Sequence, residues 1–137
     1  MTEPLADPLW RNATDLCRDL QRGTIAATTL MENVYARIAA LNPRLNALVD
    51  LMPQEQAMAL AATADAVPIA ERGPLHGLPM APKDAVTVRG FSTSWGYSGF
   101  SKIVETQDDE LARRLRKAGA IFIGHSNMPE FGLGSHT

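Results

Sequence analysis

The sequence predicts an α/β fold, and three observations carry that prediction. Segments with helical apolar spacing alternate with short apolar runs that lean towards strand. The best-defined stretch, from residue 78 to 125, reads strand, loop, helix, strand. Finally, 137 residues with 45% hydrophobic and 20% charged content have the length of one ordinary domain and can fill a core.

The elements follow in order. After a short irregular start, "ATDLCRDLQRG" sets Leu16 and Leu20 one helical turn apart and closes on Gly23, a glycine stop. Thr28 is positioned to cap a second helix, "TLMENVYARIAALNP", with Leu30, Val34, Ile38 and Leu41 on one face and Pro43 as its end. "NALVDL" (46–51) leans towards strand. Pro53 then opens a third helix, "QEQAMALAATADA". Residues 67–77 are punctuated by Pro68, Gly73, Pro74 and Gly77 and turn irregular. "LPMAPKDAVTV" is extended, but Pro82 has no N–H for a ladder, so it lies on a sheet edge or just past a strand's end. A Gly- and Ser-rich loop follows. Thr106 and Asp109 have capping-box spacing before a helix that presents Leu111, Leu115 and Ala118 to one side and stops at Gly119. "AIFIGH" then reads as a buried strand.

Charge and composition exclude several functions. The net charge is −2, and the one cluster of positives (Arg113, Arg114, Arg116, Lys117) is offset by Asp108, Asp109 and Glu110, which argues against nucleic acid as a partner. A single cysteine, Cys17, reads as a small apolar helix residue and forms no disulfide framework. "MTEPLADPLW" is acidic and carries prolines, unlike a secretory leader, and the apolar runs are too short to span a bilayer. A reducing, cytoplasmic setting with no membrane partner is the expectation.

His76, His125 and His136 lack metal-ligand spacing, so no metal site is expected. The glycines at 90, 96 and 99 fit neither a dinucleotide fingerprint nor a phosphate loop and read as a turn-rich connection. His125 and Ser126 are strand neighbours pointing to opposite faces, which is no catalytic dyad. His76 and Trp95 read as a loop histidine and a packed aromatic.

Lys83, in "GPLHGLPMAPKDAV", is the residue with chemical promise. Small and apolar residues precede it, and a lysine in such surroundings would be discouraged from carrying charge. A neutral amine is a general base of the kind a serine nucleophile needs. Composition alone favours an ordinary surface lysine.

The blocks "GPLHGLPMAPKDAVTVRGFSTSWGY" and "DDELARRLRKAGAIFIGHSNMPEFGLGS", with "ALNPRLNALV" upstream, closely resemble the N-terminal third of the amidase signature family, in the family's order. The resemblance runs from about Ala13 to the end. It implies a large mixed β-sheet flanked by helices, with residues 1–137 as the N-terminal portion of a single domain whose remainder is absent. It also implies carboxamide hydrolysis through a serine–cis-serine–lysine triad, without metal or organic cofactor. Lys83 is the counterpart of the triad lysine, exchanging a proton with the bridging cis-serine. Pro82 departs from the small or branched apolar residue many members carry, and it holds Ala81 extended. Phe131, Gly132, Leu133 and Gly134 fall where family backbone lines the acyl side of the site; a packing turn with a glycine-rich exit explains them equally well.

Both triad serines of the family lie downstream of the last block. None of Ser92, Ser94, Ser98, Ser101, Ser126 and Ser135 stands in their motif. The reading is therefore of an amidase N-terminal fragment, inactive alone, whose partners are a small amide substrate and the rest of its domain, with a homo-oligomer open. Two alternatives remain: a non-catalytic truncated interaction module, and a subunit of an aminoacyl-tRNA amidotransferase.

Overall fold

The computed structural model describes residues 8–100 and 103–137. The irregular amino-terminal start through residue 7 and Ser101 lie outside the described residues. Among the described residues, four α-helices and four two-residue strands follow in the order α1 (Ala13–Arg22), α2 (Ala27–Leu45), β1 (Leu48–Val49), α3 (Gln54–Asp65), β2 (Pro79–Met80), α4 (Glu110–Lys117), β3 (Ile121–Phe122) and β4 (His125–Ser126).

Helix α1 begins where the Asn12 side chain accepts the Asp15 N–H at 2.9 Å. It ends at Gly23 in the left-handed region, φ 71°, as the glycine stop requires. Leu16 and Leu20 are its buried residues. Helix α2 departs from expectation at both ends. It starts at Ala27, and Thr28 does not cap it; the carboxylate of Asp65, at the end of α3, does so from across the fold. Pro43 lies inside α2, which ends beyond it at Leu45, with Asn46 in the left-handed region. The hydrogen bond Pro43 cannot make would go to Ala39, an exposed position. The Asn42 side chain then closes the turn by exchanging two hydrogen bonds with the Leu48 backbone, both at 2.9 Å.

Strands β2 and β3 pair in parallel, Pro79 with Ile121 and Met80 with Phe122, with α4 in the connection between them. Strands β1 and β4 pair antiparallel, Leu48 with Ser126 and Val49 with His125. Residues 121–126 serve both ladders, and Ile123 joins them: its N–H donates to Met80 at 3.0 Å and its carbonyl accepts from Met52 at 2.8 Å.

Two cores result. The larger packs Leu16, Leu20, Leu30, Met31, Tyr35, Ala57 and Ala61 of the helices against Ile121 and Ile123. The smaller gathers Val88, Phe91, Ala112 and Phe122. The cap of α4 is Asp109, whose side chain accepts the Ala112 N–H at 2.8 Å, and not Thr106. Ala112 is its buried residue and Leu115 packs against the same core, whereas Leu111 is exposed. The reason is a contact from outside the helix: Asp109 also accepts the Thr87 N–H, and the Asp109 N–H donates to the Thr87 carbonyl, which fixes the rotation of the helix. No helix among the described residues is long and apolar enough to cross a membrane.

Candidate active site

Lys83 lies three residues past the end of β2, on extended backbone that continues towards β4. It forms an isolated parallel bridge with Ser126: the Ser126 N–H donates to Pro82 at 2.8 Å and the Asp84 N–H to Ser126 at 3.0 Å. Pro82 therefore sits past the strand's end, where its missing donor is not called upon and its carbonyl is. The chain then turns tightly, with the Lys83 carbonyl accepting from Ala85 at 2.7 Å and Val86 at 2.9 Å. The peptide bearing the lysine is thus held on both sides.

The side chain is exposed, and it makes no hydrogen bond or ion pair with the described residues. As composition alone suggests, the lysine lies at the surface of the described residues, and the pleat of the segment is the reason. Neighbours on extended backbone point to opposite faces, so the apolar residues before Lys83 do not surround its amine. The side chain that goes inward is Asp84, which is 1% exposed.

Asp84 organises what lies beside the lysine. Its carboxylate accepts the Ser94 N–H at 2.8 Å, the Ser94 hydroxyl, and the Gly96 N–H at 3.3 Å; its carbonyl accepts the Trp95 N–H at 3.1 Å. Trp95 and Gly96 are both left-handed, at φ 54° and 70°, within the turn that brings the Ser94 and Gly96 amides to the same carboxylate. Trp95 is accordingly turned outwards and 45% exposed, not a packed aromatic. From β4, the wholly buried His125 brings Nδ1 to 3.6 Å from Asp84 and 3.0 Å from the Ser92 carbonyl. The imidazole also meets the Phe91 ring at 5.7 Å between centroids. Among the described residues its Nε2 has no hydrogen-bond partner, and neither does the buried Thr93 Oγ1. Sequence reasoning missed Asp84 as a hub. The available signal was an aspartate followed ten residues later by "STSWG", a stretch rich in small donors.

The loop that Asp84 gathers lines an open cleft of about 630 Å³. Ser94 and Gly96 line it together with Asn127, Met128, Glu130 and Leu133. Of the four residues assigned to an acyl wall, Leu133 lines this cleft; Phe131, Gly132 and Gly134 do not. Phe131 joins an exposed ring cluster, stacked on Tyr97 at 5.5 Å and edge-on to Phe100 at 6.2 Å, while its N–H donates to the Trp95 carbonyl at 2.7 Å. Lys83 is not on the cleft lining either, although Ser126, its backbone partner, immediately precedes the lining residue Asn127.

His76 lies apart from this site, buried against the end of α3 with Nε2 3.0 Å from the Ala64 carbonyl. Burial, reinforced by the nearby Arg72 charge, holds its pKa below the usual imidazole value.

The chain belongs to the amidase family, whose family model matches residues 29–137. It is 35% identical over 125 residues to a glutamyl-tRNA(Gln) amidotransferase subunit of Lysinibacillus sphaericus, covering 91% of this chain and 26% of that protein. It is also similar to the native peptide amidase of Stenotrophomonas maltophilia, with a TM-score of 0.79, 35% identity, and coverage of 90% of this chain and 26% of the other. A bacterial aryl acylamidase of the amidase signature family shares the fold, with a TM-score of 0.77 at 19% identity. The chain spans about a quarter of the length of the relatives it matches.

Proposed function

We propose that these residues are the N-terminal part of an amide hydrolase in which Lys83 is the proton-transfer residue of a serine–cis-serine–lysine relay. The exposed amine on a backbone pinned to β4 is the observation that supports this most. A proton relay needs a side chain with no competing partner, on a peptide that cannot wander. Both serines would come from the rest of the amidase domain, whose packing over Lys83 would supply the desolvation that favours the neutral amine. That amine takes the proton of the bridging serine as the bridging serine takes that of the nucleophilic serine, whose oxygen attacks the carboxamide carbon, and a proton returns along the same relay to the departing nitrogen. An acyl-enzyme forms, the amine or ammonia departs, and water releases the acid while backbone N–H groups hold the oxyanion. The substrate is a carboxamide, no metal or organic cofactor takes part, and the setting is cytoplasmic. Leu133, on the cleft lining, would face the acyl group.

A second reading is the amidotransferase branch, supported by the 35% identity to the glutamyl-tRNA(Gln) amidotransferase protein. The peptide amidase is equally similar, so identity does not choose between them. Ammonia release from glutamine set against release from a panel of simple carboxamides separates the two.

The test is replacement of Lys83 in the full-length protein. Lys83→Ala is expected to lower kcat by about 10²–10⁴-fold, the usual contribution of a proton-transfer group. Lys83→Arg should do no better, because a guanidinium does not give up its proton. Wild-type turnover by either variant would end the proposal.

A further inference from the structure

We infer that Asp84 is a positioning residue for Lys83, a role that rests on reading Lys83 as the relay base. The two residues share a peptide bond, and Lys83 gains no side-chain support of its own. What fixes the direction of its Cα–Cβ bond is the anchoring of its neighbours. On one side the Ser126 peptide brackets it through Pro82 and Asp84. On the other, the Asp84 carboxylate is locked into the 92–96 loop by Ser94 and Gly96.

The same carboxylate is shared between two parts of the site. Ser94 and Gly96 line the cleft, so one buried anion ties the cleft wall to the lysine-bearing peptide. Three donors converge on it, and His125 Nδ1 stands 3.6 Å away. A buried carboxylate so satisfied leaves its segment one conformation, whereas a neutral replacement leaves donors unmet and the loop free to re-pair. Asp84 touches no reacting atom in this arrangement; it sets where Lys83 and the wall stand relative to each other.

The experiment needs no knowledge of the substrate. In the full-length protein, the rate at which a fluorophosphonate labels the nucleophilic serine reports how well the relay activates it. Asp84→Asn keeps shape and one acceptor but loses the charge and the Gly96 contact. It is expected to label at least tenfold more slowly in protein whose thermal transition lies well above the assay temperature. After reductive methylation with [13C]formaldehyde, the Lys83 signal, assigned by its absence in Lys83→Arg, should move towards that of the exposed Lys117. A role confined to stability would lower the melting temperature and leave that signal unmoved.

Should Asp84→Asn fail to fold, Ser94→Ala carries the test: it removes one donor to the carboxylate and is expected to slow labelling several-fold. Wild-type labelling by folded Asp84→Asn, or by Ser94→Ala where that variant carries the test, with slow labelling in Lys83→Ala, overturns the inference and leaves the relay standing. Wild-type labelling in Lys83→Ala overturns the relay itself.

Discussion

Asp65 is an N-cap delivered from thirty-seven residues away, and its removal is the sharpest test of how this fold is held. Its two oxygens accept the Ala27 N–H at 2.6 Å, the Thr28 N–H at 3.1 Å and the Thr28 hydroxyl at 2.7 Å. These satisfy free donors at the start of α2, the longest helix, and join it to the end of α3. An ordinary cap is worth about 1 kcal/mol, and hydrogen bonds to a charged acceptor about 1.5–3 kcal/mol, so Asp65→Ala should cost about 2 kcal/mol. Asp65→Asn keeps one acceptor and loses the charge, and about half that cost is expected.

The pH dependence has a definite sign. Burial alone would raise the Asp65 pKa, but the Thr28 hydroxyl and N–H, the Ala27 N–H and the Arg72 charge outweigh it and hold it below the usual carboxylate value. A depressed folded pKa means that the stabilisation is complete above the unfolded value of about 3.9 and is lost as pH falls through the folded pKa. Urea unfolding followed by far-UV circular dichroism should therefore give a wild-type advantage over Asp65→Ala at pH 7 that shrinks towards pH 2. An advantage below about 0.5 kcal/mol at pH 7, or one unchanged at acid pH, would refute the reasoning.

Two further outcomes follow from the same packing. His76, depressed by burial, is expected to titrate below the unfolded value of about 6.5, so stability present above that pH declines as pH falls through its folded pKa; an imidazole titration by NMR at or above 6.5 would contradict this. Gly119→Ala would place a Cβ 2.8 Å from the His76 Cα at φ 101°, so a loss of at least about 1–2 kcal/mol is expected in the same urea assay, and a neutral result would show that the backbone yields there.

What was legible in the sequence was local. Gly23 and Gly119 mark helix ends because only their own backbone conformation is at issue, and the apolar runs at 46–51 and 120–125 locate the ladders. Contacts between distant residues were not legible. Nothing near Thr28 announces that Asp65 will take the capping role, and nothing near Thr106 announces that Thr87 will claim Asp109. At the site, Lys83 stood out through family resemblance, but its exposure did not follow from its apolar neighbours, because alternation along extended backbone decides the facing. Asp84 was read only as the residue beside it, since its donors are folded into place by a loop ten residues on.

The arrangement of residues 121–126 has a consequence for synthesis on the ribosome. Both ladders close on this one short stretch, Leu48 against Ser126 and Pro79 against Ile121. At roughly 5–20 residues per second, β1 waits on the order of ten seconds after leaving the ribosome for the strand that completes it. During that interval α1, α2 and α3 can pack on one another, but the cluster they build still lacks Ile121 and Ile123. The nascent chain therefore carries an unfinished apolar face until β3 and β4 emerge, and that interval is when a holding chaperone has something to bind.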